Sequence, residues 1–155
     1  MLSTGHKSDL IEAIISVAFD QVYLIRDRID QLQKFMTSSK EFESLVLTFK
    51  RITNILKKQE ETSDVNPGLF KEPCEFRLWE AYHELSGEII GLMEKRAYFE
   101  ALNLLVKLRK PVDDIFDEVE IMTKENPQLR DNRVGMLQRL ARLFLSLADF
   151  SKFSI

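Results

Sequence analysis

Residues 41–58 read EFESLVLTFKRITNILKK and carry the clearest structural signal in this sequence. The apolar positions of this stretch recur every three or four residues: Phe42, Leu45, Val46, Phe49, Ile52 and Leu56. That spacing is typical of an amphipathic α-helix that buries one face. Ser38 and Glu41 have the spacing of a capping box, so we expect this helix to start between them.

Apolar stripes with the same period precede this helix and predict two more. The first is expected to start at Ser8 or Asp9 and the second to be capped by Asp20, because these residues are good N-caps. On the other side, residues 59–68 read QEETSDVNPG, which is polar, acidic and rich in turn residues. We therefore expect a loop over about 59–72 that divides the chain into two halves.

Four further helices are predicted after the loop. Pro73 suits the first turn of one helix, where its missing N–H is not needed. Pro111 is expected to end the next and to open another that runs through Met122. Asn126-Pro127 is expected to end that helix, and a last apolar stripe follows. The pattern predicts an all-α, single-domain helical bundle of about seven helices.

Composition agrees with this fold class. The 155 residues include only five Gly and four Pro against eleven Phe, which favours long helices over short strands. The hydrophobic fraction of 45% and charged fraction of 30% are those of a globular protein. One cysteine, Cys74, cannot form an intramolecular disulfide, and neither a signal peptide nor an apolar run of about 18 residues is present. We expect a cytoplasmic protein without a membrane segment.

Catalytic chemistry is not expected within this chain. Two histidines and one cysteine are too few for an ordinary zinc site, and no phosphate loop, nucleophile elbow or HExxH motif occurs. We predict no catalytic residue, metal or cofactor here. Asp113 and Asp114 are interpreted as acids in the first turn of the helix near Pro111, where they meet the helix dipole favourably.

A basic strip lies beside the buried face of the 42–56 helix. On a helical wheel it spans an arc of about 120° and consists of Lys50, Arg51, Asn54, Lys57 and Lys58. Cations with an amide donor beside a packed face suit a phosphate backbone. A solvated helix face, with lysines near its C-terminal dipole, is the other interpretation.

A second basic region covers residues 129–153 and contrasts with the net charge of −3. Arg130 and Arg133 bracket Asn132 where the last helix is expected to begin, and Lys152 lies near the other end of the region. Cations at a helix N-terminus are unfavourable, and an external anion would remove the conflict. The alternative to an external anion is that these arginines pair with Asp131 as a local partner.

Four blocks of the sequence, in order, resemble one family. TFKRITNILKK (48–58) resembles its FKRxxNILK, and LFKEPCEFRLWEA (69–81) its LFxEPAExxLxxA. LRKPVDDIFDEVEIM (108–122) resembles LxxPVDxFFDxVMVM. LRDNRVGMLQRLARLFLSLADFSKF (129–153) resembles LRxNRLxLLxxLxxLFxxVADFSKL. The family is the bacterial glycyl-tRNA synthetase beta subunit, in its C-terminal, DALR-type anticodon-binding region.

The resemblance implies a non-catalytic anticodon-binding domain over 1–155, part of a longer subunit. The whole enzyme would be an α2β2 glycine–tRNA ligase that uses ATP and Mg²⁺ at the alpha subunit. The implied partners are tRNA-Gly, the alpha subunit and the remainder of the beta subunit, with no membrane involved.

Anticodons for glycine end in two cytosines, so a reader needs hydrogen-bond donors and an acceptor for the amino group N4. Asp117 is a candidate acceptor, and a salt bridge from Asp117 to a nearby arginine is equally open. The residues hypothesised to bind tRNA are Lys50, Arg51, Asn54, Lys57, Lys58, Asp117, Arg130, Asn132, Arg133 and Lys152.

Two alternatives remain. The basic strips of a helical protein-interaction module would bind an acidic protein instead of RNA. The homologous domain of arginyl-tRNA synthetase is a second possibility, and the ADFSK and PVD blocks argue against it.

Overall fold

The structure, a computed structural model, describes residues 4–17, 22–62 and 64–155. These ranges contain seven α-helices and no β-strand. The helices are α1 (Thr4–Ile15), α2 (Val22–Ser38), α3 (Phe42–Leu56), α4 (Pro73–Glu94), α5 (Tyr98–Val106), α6 (Arg109–Glu118) and α7 (Pro127–Leu147). Short 3-10 turns occupy Pro67–Leu69 and Phe150–Lys152. The prediction of an all-α bundle of about seven helices is confirmed.

Two predicted helix starts in the first half are wrong. The first helix already includes Thr4, and the Asp9 carboxylate accepts a hydrogen bond of 3.0 Å from the Ser154 N–H. Ser38 is the last residue of α2 and donates its hydroxyl proton to the Lys34 carbonyl, so it caps nothing in α3. The Asp20 cap lies outside the described residues.

In the second half, Pro73 does open α4, as predicted. Pro111 is the third residue of α6, because that helix begins at Arg109. The same helix ends at Glu118, so its predicted extension through Met122 is wrong; Val119 is already extended. Asn126 starts α7 instead of ending a helix, since its side chain accepts a hydrogen bond from the Leu129 N–H.

Asp113 and Asp114 are not first-turn acids. They lie in the second turn of α6, each four residues after a cation. Asp113 pairs with Arg109 at 3.4 Å and Asp114 with Lys110 at 3.2 Å. Local ion pairs, and not the helix dipole, account for them.

The core joins α3 to α7 and to the 150–152 turn. Phe49 and Phe144 stack with ring centroids 5.5 Å apart, and Phe150 contacts both rings at 5.8 and 5.9 Å. All three side chains are at most 1% exposed. This aromatic cluster fixes the side of α3 that is buried and therefore the side that faces outward.

The remaining helices complete the bundle around this core. The α4 helix packs against α5, α6 and α7, and α2 packs against α1 and α5. Arg28 of α2 is 8% exposed and donates hydrogen bonds to the carbonyl oxygens of Ser146 and Leu147. Its guanidinium lies 4.6 Å from the ring centroid of Tyr98 in α5, so one side chain joins three helices.

Candidate nucleic-acid interface

The outward side of α3 carries the basic strip that the sequence predicts. Asn54, Lys57 and Lys58 are exposed. Within the described ranges, no acidic side chain lies within ion-pairing distance of Lys57, Lys58 or Lys152. The helix ends at Leu56, so both lysines belong to the turn that follows it.

A groove of about 500 Å³ runs beside this strip. Its lining comes from α3, the turn after it and the 150–152 turn: Lys50, Arg51, Thr53, Asn54, Lys57 and Ser151. Lys152 is exposed in that same 150–152 turn. The 150–152 turn therefore forms a second wall of the groove, and its Lys152 extends the positive surface beyond α3.

The ADFSKF block (148–153) holds that second wall in place. The Asp149 carboxylate accepts hydrogen bonds from the N–H and the hydroxyl of Ser151, at 3.1 and 2.6 Å. The Asp149 N–H donates to the Ala13 carbonyl at 3.0 Å. Phe150 and Phe153 are buried at 0% and 1% exposure. The block is structural, and it positions Ser151 and Lys152 against α3.

Two members of the strip have intramolecular partners. The Lys50 ammonium donates to the main-chain oxygen of Phe153, and this side chain is half-buried. The Arg51 guanidinium lies 4.4 Å from the ring centroid of Phe116 and 3.7 Å from the Asp117 carboxylate. The salt-bridge interpretation of Asp117 is therefore the arrangement that the structure contains. Both side chains of that pair remain well exposed, at 47% and 69%.

The second predicted region is arranged differently, and here the geometry disagrees with the sequence-based hypothesis. Asn132 and Arg133 are each only 5% exposed. The Asn132 amide accepts from the Asn66 N–H at 2.7 Å and donates to the Asn66 carbonyl at 3.0 Å. Arg133 pairs with Glu75 and donates to the Glu120 carbonyl at 2.8 Å. Their polar atoms are engaged inside the molecule, which does not favour the contact with tRNA predicted for them.

Glu75 makes this buried pair part of a network. It is 0% exposed, and its carboxylate also accepts from the N–H groups of Lys71 and Glu72, at 2.6 and 3.1 Å. The EPCE (72–75) and LRDNR (129–133) blocks thus meet through the pair of Glu75 and Arg133. Both motifs serve the fold here, as a satisfied ionic network between α4 and α7.

Cys74 lies next to this network and is 1% exposed. Burial, followed by the neighbouring Glu118 carboxylate, raises the pKa of its thiol to about 11. A buried thiol with a raised pKa is a poor nucleophile.

The other arginines of α7 are paired as well. Arg130 contacts Asp131 at 3.4 Å, which is the local partner that the alternative interpretation names. Arg139 reaches Asp64 at 2.9 Å, and Arg142 pairs with Glu61. The latter two partners belong to the 59–66 loop, which lies along α7. Sequence reasoning missed this loop as the counter-charge of the second basic region.

Gln138 ties the same loop to α7. Its side-chain oxygen accepts from the N–H and hydroxyl of Thr62, and its amide donates to the Glu60 carbonyl. The loop and α7 therefore form one locally neutralised surface.

No cluster of three or more metal-ligating side chains occurs among the residues that the structure describes. In the same part of the chain, none of the helices has the length and apolar character needed to cross a membrane.

Comparison with known proteins agrees with the family resemblance of the sequence motifs. The family described as DALR anticodon binding domain matches residues 45–148, more than half of the chain. The chain is similar to the glycine–tRNA ligase beta subunits of Citrifermentans bemidjiense (37% identical), Desulfatibacillum aliphaticivorans (36%) and Syntrophotalea carbinolica (35%). These matches cover 97–99% of the chain and 22% of each relative, so the chain spans about a fifth of their length. The chain belongs to the DALR anticodon-binding domain family.

Proposed function

We propose that this chain binds the anticodon region of tRNA-Gly as the C-terminal part of a glycine–tRNA ligase beta subunit. The observation that carries the proposal is the exposed strip of α3, bordered by a groove. Asn54, Lys57 and Lys58 lie free of acidic partners within the described residues, and Lys152 is exposed in the 150–152 turn, which lines the other side of the groove through Ser151.

The strip suits a single-stranded RNA backbone for electrostatic reasons. Each lysine that neutralises a phosphate releases a condensed counterion, which favours binding at low salt. The amide of Asn54 adds a neutral donor in the middle of the strip, where phosphate or sugar oxygens can accept. Because α3 is held by the aromatic core, Asn54 is presented on a rigid element, and the two lysines follow directly in the turn after it.

The names of the relatives support a proposal for the role of the whole enzyme. They are named glycine–tRNA ligase beta subunits, and we propose that this chain supports the same reaction together with an alpha subunit in an α2β2 assembly. ATP and Mg²⁺ would act at the alpha subunit, and the assembly would work in the cytoplasm, where translation takes place.

Fluorescence anisotropy with labelled tRNA tests this proposal. The chain is expected to bind tRNA-Gly more tightly than a tRNA-Gly in which both anticodon cytosines are replaced by uracil. Equal affinity for the two RNAs would mean that the chain binds tRNA electrostatically and does not read the anticodon. No binding to either RNA, with binding to an acidic protein instead, would favour the helical protein-interaction module.

A further inference from the structure

A second pocket opens between α3 and α6, next to the basic strip. It encloses about 300 Å³, near the lower end of the range of roughly 300–1,000 Å³ for small-molecule sites. Its main lining residues are Leu47, Thr48, Arg51, Arg109, Asp113 and Asp117. Arg51 also lines the groove of the strip, so the two depressions adjoin. A strand whose phosphates follow the strip would have a base within reach of this pocket.

The pocket offers flat and apolar surface for the face of a base. Leu47 is 52% exposed and gives the pocket an apolar wall. The Arg51 guanidinium lies 4.4 Å from the centroid of the Phe116 ring, and its side chain is 47% exposed. Its N–H groups therefore remain within reach of a ligand in the pocket.

The charged groups of the pocket differ in the number and closeness of their partners within the protein. Asp113 pairs with Arg109 at 3.4 Å and accepts from the Thr48 hydroxyl at 3.4 Å. Arg109 also pairs with Glu41 at 3.2 Å. Among the described residues, Asp117 pairs only with Arg51, at 3.7 Å, which is longer than a hydrogen bond. Asp117 and Arg51 are therefore the acceptor and the donor that remain available to a ligand.

An adjacent acceptor and donor match the Watson–Crick edge of cytosine. Its amino group N4 donates, while N3 and O2 beside it accept. Uracil presents an oxygen where cytosine has the amino group and would set that oxygen against the Asp117 carboxylate. The pair thus favours cytosine over uracil by attraction to one and repulsion of the other.

We infer that this pocket receives one unstacked cytosine of the bound RNA, with Asp117 accepting from N4 and Arg51 donating to N3 or O2. The inference rests on the proposed function and adds to it the site and the chemistry of base reading. Asp117 and Arg51 are specificity-determining residues, whereas Lys57 and Lys58 bind without regard to sequence.

Asp117→Asn tests the inference, with Asp114→Asn as its matched control. Both variants remove one negative charge from α6, but Asp114 is paired with Lys110 and does not line the pocket. The probes are anticodon-arm hairpins with cytosine or uracil at the two glycine-specific positions. An asparagine amide can donate to the O4 of uracil, so Asp117→Asn should reduce the preference for cytosine by about tenfold, the size of one base contact.

Asp114→Asn should leave the preference for cytosine unchanged. Arg51→Lys, which keeps the charge but loses the planar fork, should also reduce the preference while retaining the salt dependence of binding. An unchanged preference in Asp117→Asn and in Arg51→Lys, with RNA still bound, overturns the pocket and leaves the proposed function intact. Failure of the unmodified chain to bind any hairpin overturns the proposed function and this inference with it.

Discussion

The two basic regions of this protein look alike in sequence and differ in the folded molecule. The α3 strip presents Asn54, Lys57 and Lys58 to solvent beside a groove. The α7 region has Arg133 buried against Glu75, Arg130 paired with Asp131, and Arg139 and Arg142 paired with acids of the 59–66 loop.

This difference shows that a cluster of cations indicates a nucleic-acid surface only when nothing in the fold neutralises it. Apart from Asp131, the acids that pair with α7 lie far away in sequence, 58 residues in the case of Glu75. A buried cation is retained because it is fully paired and hydrogen-bonded, since leaving it unpaired costs several kcal/mol. On our proposal, RNA binding therefore belongs to α3, and α7 has a stabilising role.

The largest expected effect comes from Arg133→Met. Removing one partner of a buried ion pair leaves Glu75 charged and unpaired, which should lower the free energy of unfolding by about 3–5 kcal/mol. Urea denaturation followed by circular dichroism measures this change. Arg139→Met is the control, because its partner Asp64 is fully exposed and the pair should contribute little. If the Arg133→Met variant has native stability but binds tRNA more weakly, the result would support the sequence-based hypothesis that Arg133 contacts tRNA.

Phe49→Ala and Phe144→Ala should each lower the free energy of unfolding by about 3–5 kcal/mol, as truncations of buried aromatic residues do. The two rings stack on each other, so the double variant should lose less than the sum of the single variants. Thermal and urea unfolding of the four proteins would show this coupling. A single variant that melts within a degree or two of the unmodified chain would contradict the assigned buried face of α3 or α7.

Cys74 provides a chemical probe of the α7 side. Its pKa of about 11, against an ordinary value of 9.0, lowers the thiolate fraction at pH 8 by roughly a hundredfold. The folded protein should therefore react with iodoacetamide at least that much more slowly than the chain unfolded in urea. Raising the pH through 11 should accelerate the reaction. Rapid labelling at pH 8 would show that the network around Glu75 opens readily.

Much of the fold could be predicted because helix periodicity is a local property. The buried face of α3 follows from the spacing of Phe42, Val46 and Phe49 alone. Helix ends were less predictable. Ser38 and Glu41 have the spacing of a capping box, yet Ser38 is the last residue of α2 and Glu41 precedes α3 without a side-chain cap. Pairing of the 59–66 loop with α7 was not predictable, since it depends on how distant segments pack.

The burial of Arg133 did leave a signal in the sequence. Position 133 lies four residues after Leu129 and four before Leu137, on the apolar stripe of α7. Glu75 likewise lies three residues before Leu78, on the stripe of α4. An acid and a base that each interrupt an apolar stripe are candidates for a buried pair.

The smallest expected effect, and the most direct test of the central claim, is the salt dependence of tRNA binding. The variants are Lys57→Ala and Lys58→Gly on the α3 side, with Arg139→Ala and Arg142→Ala as matched controls. Glycine suits position 58 because its φ of 66° is left-handed. Affinity for tRNA-Gly is measured by anisotropy across a salt series.

Each lysine variant should weaken binding and reduce the slope of log K against log salt by about 0.7, the value for one phosphate contact in single-stranded RNA. The arginine variants should leave that slope unchanged. A reduced slope in the arginine variants together with an unchanged slope in both lysine variants would contradict the assignment of RNA binding to α3.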